Sequence, residues 1–174
     1  MADSLVTNSA VAVANWLIEQ NHYDRSELSP SKLQKLLYYA QGWFLATFDY
    51  PLFEDPVEAW RSGPCVNSVF KALNRQKLEE VTGLIHGYLV ENGVYRISIP
   101  KILFRSPKEE EFMISFWKKF SKIEPIIMIN STLNDDTPWR QVYNHLISGD
   151  TTNKIIPLDL LKYYFKNILQ NAEK

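Results

Sequence analysis

The sequence predicts a mainly α-helical fold of the α+β class, a compact helical domain carrying one small antiparallel β-hairpin. Three observations lead there. Apolar residues recur at helical spacing through most of the chain. The pairs Ser29-Pro30 and Thr137-Pro138 stand where helices should begin, a capping side chain followed by a residue whose missing N–H had no partner to lose. Only residues 84–99 change to an alternating period, around Asn92-Gly93. With 174 residues and no internal repeat, low-complexity tract or linker, the chain reads as a single domain over 1–174, long enough for a hydrophobic core.

The first helix spans about 8–21, where Ala10, Val13, Ala14, Leu17 and Ile18 share a face and Asn8 or Ser9 supplies the cap. Residues 22–29 are polar and form a loop. The second helix opens at Ser29-Pro30 and carries a core stripe of Leu33, Leu36, Leu37, Ala40, Phe44 and Thr47, bordered by Trp43. Asp49 to Pro56 holds two prolines and must be a loop. Val66, Val69, Phe70, Leu73 and Leu78 predict a third helix over 66–78. Residues 86–99 then predict a hairpin turning at Asn92-Gly93, since both residues tolerate the positive φ of a two-residue turn. Such a hairpin is marginal alone and must be supported by the helices or pair elsewhere.

Ser106-Pro107-Lys108-Glu109 has the capping-box pattern, ahead of Phe112, Met113, Phe116, Trp117 and Phe120 on one helical side. Residues 125–136 read as irregular, with Ile126 to Ile129 a short buried segment. Thr137-Pro138 starts a helix to about Leu146, ended by Ser148-Gly149-Asp150. Pro157 opens the last helix, with Leu158, Leu161, Phe165, Ile168 and Leu169 inward.

Composition narrows the function classes. Apolar residues at 45% and charged residues at 22% are ordinary globular usage, which argues against wholesale disorder. A formal net charge of −1 gives no general pull toward nucleic acid, so a DNA-binding role would need a local basic patch. The single cysteine forms no internal disulfide and fits a reducing cytosol. The first residues lack the basic segment and cleavage site of a signal peptide, and no apolar run approaches the roughly 20 residues of a membrane span. A soluble cytoplasmic protein with no membrane partner is expected.

The candidate chemistry is thin. His22, His86 and His145 are isolated from one another, without the close pairing of zinc ligands. Cys65 with a distant histidine is a weak nucleophile and base, kept in view only because a helix N-terminus lowers a thiol pKa. Asp135-Asp136 and Glu109-Glu110-Glu111 lie where helices begin, and the dipole favours negative charge there without any metal. No catalytic residue, metal site or cofactor is expected. Five Trp, nine Tyr and nine Phe are a high aromatic load, most of it core.

The most informative block is residues 32–66, KLQKLLYYAQGWFLATFDYPLFEDPVEAWRSGPCV. It resembles the Panacea domain family, which includes SocA-like and GepA-like bacterial proteins, many of them antitoxins. The resemblance is carried by Lys32 to Trp43, by Pro51 to Phe53, by Glu58 to Trp60, and by Gly63, Pro64 and Val66. Cys65 is inserted where the family places its valine. Pro138 and Trp139 match a Pro-Trp pair that opens a later helix, but the family's preceding Thr-His pair is absent from residues 130–136.

The resemblance implies a non-enzymatic antitoxin that binds and neutralises a cognate protein toxin. It further implies, for some members, an adaptor that delivers the toxin to a protease. The alternatives are a nucleic-acid-binding regulator, disfavoured by the charge and by the lack of a recognition helix, and a small enzyme, for which no mutually placed polar pair is visible. Lys32, Lys35, Tyr39 and Gly42 fall at spacings of three, four and three, on a face expected to lie beside the core stripe. A solvated lysine face is the plain reading of that spacing. The functional reading is a partner-binding rim of Lys32, Lys35, Tyr39, Trp60 and Arg61, built from residue types that dominate binding hot spots.

Overall fold

The computed structural model describes residues 8–24, 28–75 and 80–172. Among these the fold is mainly helical, with seven helices and two separate two-stranded antiparallel sheets. In chain order the elements are α1 (Ala10–Asp24), α2 (Pro30–Phe48), β1 (Val57–Trp60), β2 (Gly63–Val66), α3 (Asn67–Arg75), β3 (Gly87–Glu91), β4 (Val94–Ser98), α4 (Pro107–Phe120), α5 (Pro125–Thr132), α6 (Pro138–Ser148) and α7 (Leu158–Ala172).

Helix α2 is the axis of the molecule. It packs on α1, α3, α4, α5, α7 and β2, and is buried on nearly all sides. Its start follows from sequence: Ser29 accepts from the Lys32 amide and Pro30 occupies the first turn. It ends at Asp49, in the left-handed region at φ 66°, whose carboxylate binds Lys162 and Lys166 of α7. α7 can lie so close because Gly42 has no side chain, since a Cβ there would overlap the Phe165 ring. Phe165 and Leu161 are fully buried against it, whereas Leu158 and Ile168 are exposed, contrary to their expected inward facing. Thr47 likewise leaves the core stripe for solvent.

The other caps divide. Ser9 caps α1 through the Ala12 amide, and Thr137 caps α6 through the Arg140 amide. At α4 the capping box does not close. Glu109 is buried and accepts instead from the Arg105 amide and from the Tyr50 hydroxyl at 2.6 Å. The third helix is described over 67–75, and the rest of its expected span to Leu78 lies outside the described residues. The segment expected to be irregular forms α5, with Met128 buried and Ile126 and Ile127 facing outward. Its four apolar residues in a row hide the helical period.

Both hairpins are tied down by buried amide side chains. The β3–β4 hairpin turns at Asn92 (φ 52°) and Gly93 (φ 78°), as expected, with Gly87 paired to Ser98. At its base, Asn15 of α1 donates to the Ile85 and Pro100 carbonyls and accepts from the Ile85 amide. The β1–β2 hairpin was not expected. It pairs Val57 with Val66 and Trp60 with Gly63, leaving Arg61 and Ser62 as the turn. Its outer edge is covered by residues 154–156, where the Ala59 amide donates to the Lys154 carbonyl and the Ile156 amide to the Val57 carbonyl.

Candidate partner-binding site

Lys32, Gln34, Lys35 and Gln41 of α2 point inward and hold backbone. Gln34 accepts from the Val66 amide at 2.7 Å and donates to the Val66 carbonyl, fixing β2 on α2. Gln41 accepts from the Leu52 and Phe53 amides and donates to the Phe53 carbonyl, fixing the Pro-Leu-Phe loop. Both amides are buried, so each satisfies backbone groups that would otherwise be stranded without water.

Lys35 serves the hairpin turn. Its Nζ donates to the carbonyls of Ser62 (3.2 Å) and Pro64 (3.1 Å), beneath Gly63 at φ 105°. A Cβ on Gly63 would sit 2.8 Å from that nitrogen and displace the lysine tip, and φ 105° itself favours glycine there. Burial lowers the Lys35 pKa to about 8.

The other strand is held by Glu58. It accepts from the Trp60 indole N–H at 2.6 Å and from the Asn67 amide, and pairs with Lys154 at 2.9 Å. Burial works to raise the Glu58 pKa, but these hydrogen bonds outweigh it and the net shift is downward. The Trp139 indole donates to the Trp60 carbonyl at 2.8 Å, which is how the Pro138-Trp139 pair reaches the hairpin from α6. Lys154 lies 4.9 Å above the Trp60 ring, and Phe70 of α3 meets that ring edge-on.

What these clamps present outward is a half-buried Trp60, an exposed Arg61 and Ser62, and an exposed Phe70. Beside them opens a cavity of about 270 Å³. Trp60, Phe70, Leu73 and Pro64 form its apolar wall, and Lys35 is its only charged residue among the described ones.

The five predicted rim residues therefore do not form one rim. Lys35 and Trp60 share this cavity, with Arg61 next along the turn. Tyr39 lines a different depression between α5 and α7, where it stacks on Phe120 and burial raises its pKa to about 12. Lys32 is buried and donates to the Ser121 carbonyl at 2.7 Å. The expected solvated lysine face is thus corrected: Lys35 is 3% and Lys32 8% exposed. Helical spacing places these residues on a common face, but it cannot show that neighbouring elements cover that face too. Phe70, Leu73 and Glu58 were missed as parts of the site. Phe70 stood in the sequence as one more apolar position of the third helix, and only the fold shows that it is exposed beside Trp60.

The residues weighed for chemistry stay apart. Cys65 lies in β2 rather than at a helix start, and burial pushes its thiol up to about 11. His145 binds Asp150 at the exposed end of α6, while His22 and His86 are exposed. Among the described residues no group of His, Cys, Asp and Glu could hold a metal ion, and no helix is long and apolar enough to cross a membrane.

No curated protein and no solved structure matches the chain. The family described as Antitoxin SocA-like, Panacea domain, matches residues 33–140, from the second residue of the α2 block to the start of α6. That stretch contains every clamp around the hairpin except those of the 154–156 segment. The chain belongs to the SocA-like Panacea domain family.

Proposed function

We propose that this protein is a non-enzymatic cytoplasmic antitoxin that binds and neutralises a cognate protein toxin through the tip of the β1–β2 hairpin. Membership of an antitoxin family supports the role. The observation that carries the site is that clamps from α2, α6 and the 154–156 segment converge on ten residues whose outer surface is Trp60, Arg61 and neighbouring Phe70. A rigid aromatic and arginine patch loses little conformational entropy on binding, which suits a recognition surface. Lys32, bound to the Ser121 carbonyl, and Tyr39, in a separate depression, fall outside that surface.

The test is co-expression with the product of the adjacent gene. Arg61→Glu combined with Phe70→Ala should abolish protection and binding in pull-down, with a thermal melt close to that of the parent. Protection by a well-folded double variant would remove the site assignment. A parent protein that neither binds the neighbour nor relieves its toxicity would overturn the antitoxin reading. The toxin's half-life in the same cells separates simple sequestration, where it persists in the complex, from delivery to a protease, where it falls.

A further inference from the structure

The cation at the hairpin site lacks a counter-charge. Lys35 is 3% exposed, and no carboxylate pairs with it among the described residues. Its Nζ donates to two carbonyls, which leaves one of its three protons without an acceptor among the described residues. The neighbouring acid, Glu58, is already engaged by Lys154, Trp60 and Asn67. The Cys65 thiol stays neutral near pH 7 because burial pushes it up to about 11. A buried charge without a partner is costly, and a ligand anion removes that cost.

The cavity fits such an anion in size and lining. Among the described residues its lining includes Lys35 and no acidic side chain, and the first turn of α2 (Pro30 and Ser31) brings the positive end of a 19-residue helix. At about 270 Å³ it falls below the ~300–1,000 Å³ of pockets for drug-sized ligands. It admits a group of about one residue rather than a nucleotide cofactor.

We infer that this cavity is a carboxylate-binding site, seating an acid group on Lys35 with its apolar body against Trp60, Phe70 and Leu73. Resting on the toxin-binding reading, the occupant in the cell is an acidic group beside an apolar residue on the toxin. The apolar wall supplies contact area, and the charge-assisted hydrogen bond supplies the discrimination.

The probe is 3-phenylpropionate, titrated into the full-length protein and followed through the Trp60 indole N–H resonance, with 3-phenylpropionamide as the neutral control. The acid should bind about tenfold or more tightly than the amide. Lys35→Met should remove that preference, and Phe70→Ala should weaken acid and amide alike. Equal binding of acid and amide to the parent, or no binding of either at millimolar concentration, overturns the inference even if Lys35→Met fails to fold. Equal affinity of the acid for the parent and a folded Lys35→Met overturns it too. A second arm adds excess 3-phenylpropionate to the complex with the adjacent gene's product. Displacement of that partner supports its use of the site. An undisturbed complex overturns the partner's occupancy while the carboxylate site stands, and failure of the complex to form counts against the antitoxin reading alone.

Discussion

The two hairpins differ in where their conformation is encoded. The β3–β4 hairpin carries its instructions locally: an alternating pattern, and two residues suited to positive φ at the turn. It is anchored at its base by Asn15, and Val94 and Ile97 are exposed. The β1–β2 hairpin has no such turn dipeptide and includes a proline opposite Ala59. It exists because Gln34 and Lys35 of α2, Trp139 of α6 and the 154–156 segment hold it from three parts of the fold. A locally coded hairpin has its turn set by its own residues, even where it is anchored at its base. One that is coded by tertiary clamps holds its outer residues in fixed positions, as a recognition surface requires.

Breaking the clamps should therefore cost more than breaking the local turn. The largest effect is expected for Trp139→Ala, which empties a buried site (2% exposed) and strands the Trp60 carbonyl, at about 3–5 kcal/mol. A melt unchanged from the parent would show that α6 does not hold the hairpin. Gln34→Ala leaves the Val66 amide and carbonyl unpaired in the interior and should cost about 2–4 kcal/mol by urea denaturation.

These clamps also mark the limit of what could be read from sequence. The caps at Ser9, Ser29 and Thr137 and the Asn92-Gly93 turn were legible because their chemistry is local. The inward course of Lys32 and Lys35 was not, because lysine is rarely buried and its reach depends on carbonyls distant in sequence. The strands of β1–β2 escaped for a related reason. All four residues of β2 are buried, which erases the alternation that marks a half-exposed strand. Trp60 and Arg61 were legible as surface candidates, whereas their partner Phe70 needed the fold to bring α3 alongside.

Lys35 sharpens the comparison through pH. Its folded pKa, about 8, lies below the ordinary 10.5, so between these values the unfolded chain binds more protons than the folded one. Stability contributed at this site therefore rises with pH across that window. The gap between the parent and Lys35→Met should shift in the parent's favour by about 1–3 kcal/mol from pH 7.5 to 10.5. A constant gap would mean that the ammonium is not desolvated. The smallest effect is expected from Gly93→Ala in the locally coded hairpin, about 1 kcal/mol from forcing a side chain into φ 78°, with toxin protection unchanged.

The most direct test of clamped against locally coded structure is native-state hydrogen exchange read at single amides. The Ala59 and Val66 amides should exchange only through global unfolding in the parent, and the β3–β4 ladder amides markedly faster through local opening. In Gln34→Ala, Val66 should drop to the β3–β4 level while the Asn15-anchored Ile85 amide keeps its protection. Equal protection of the two hairpins in the parent, or a Val66 amide indifferent to the loss of Gln34, would contradict the claim that the α2 clamps hold the recognition face.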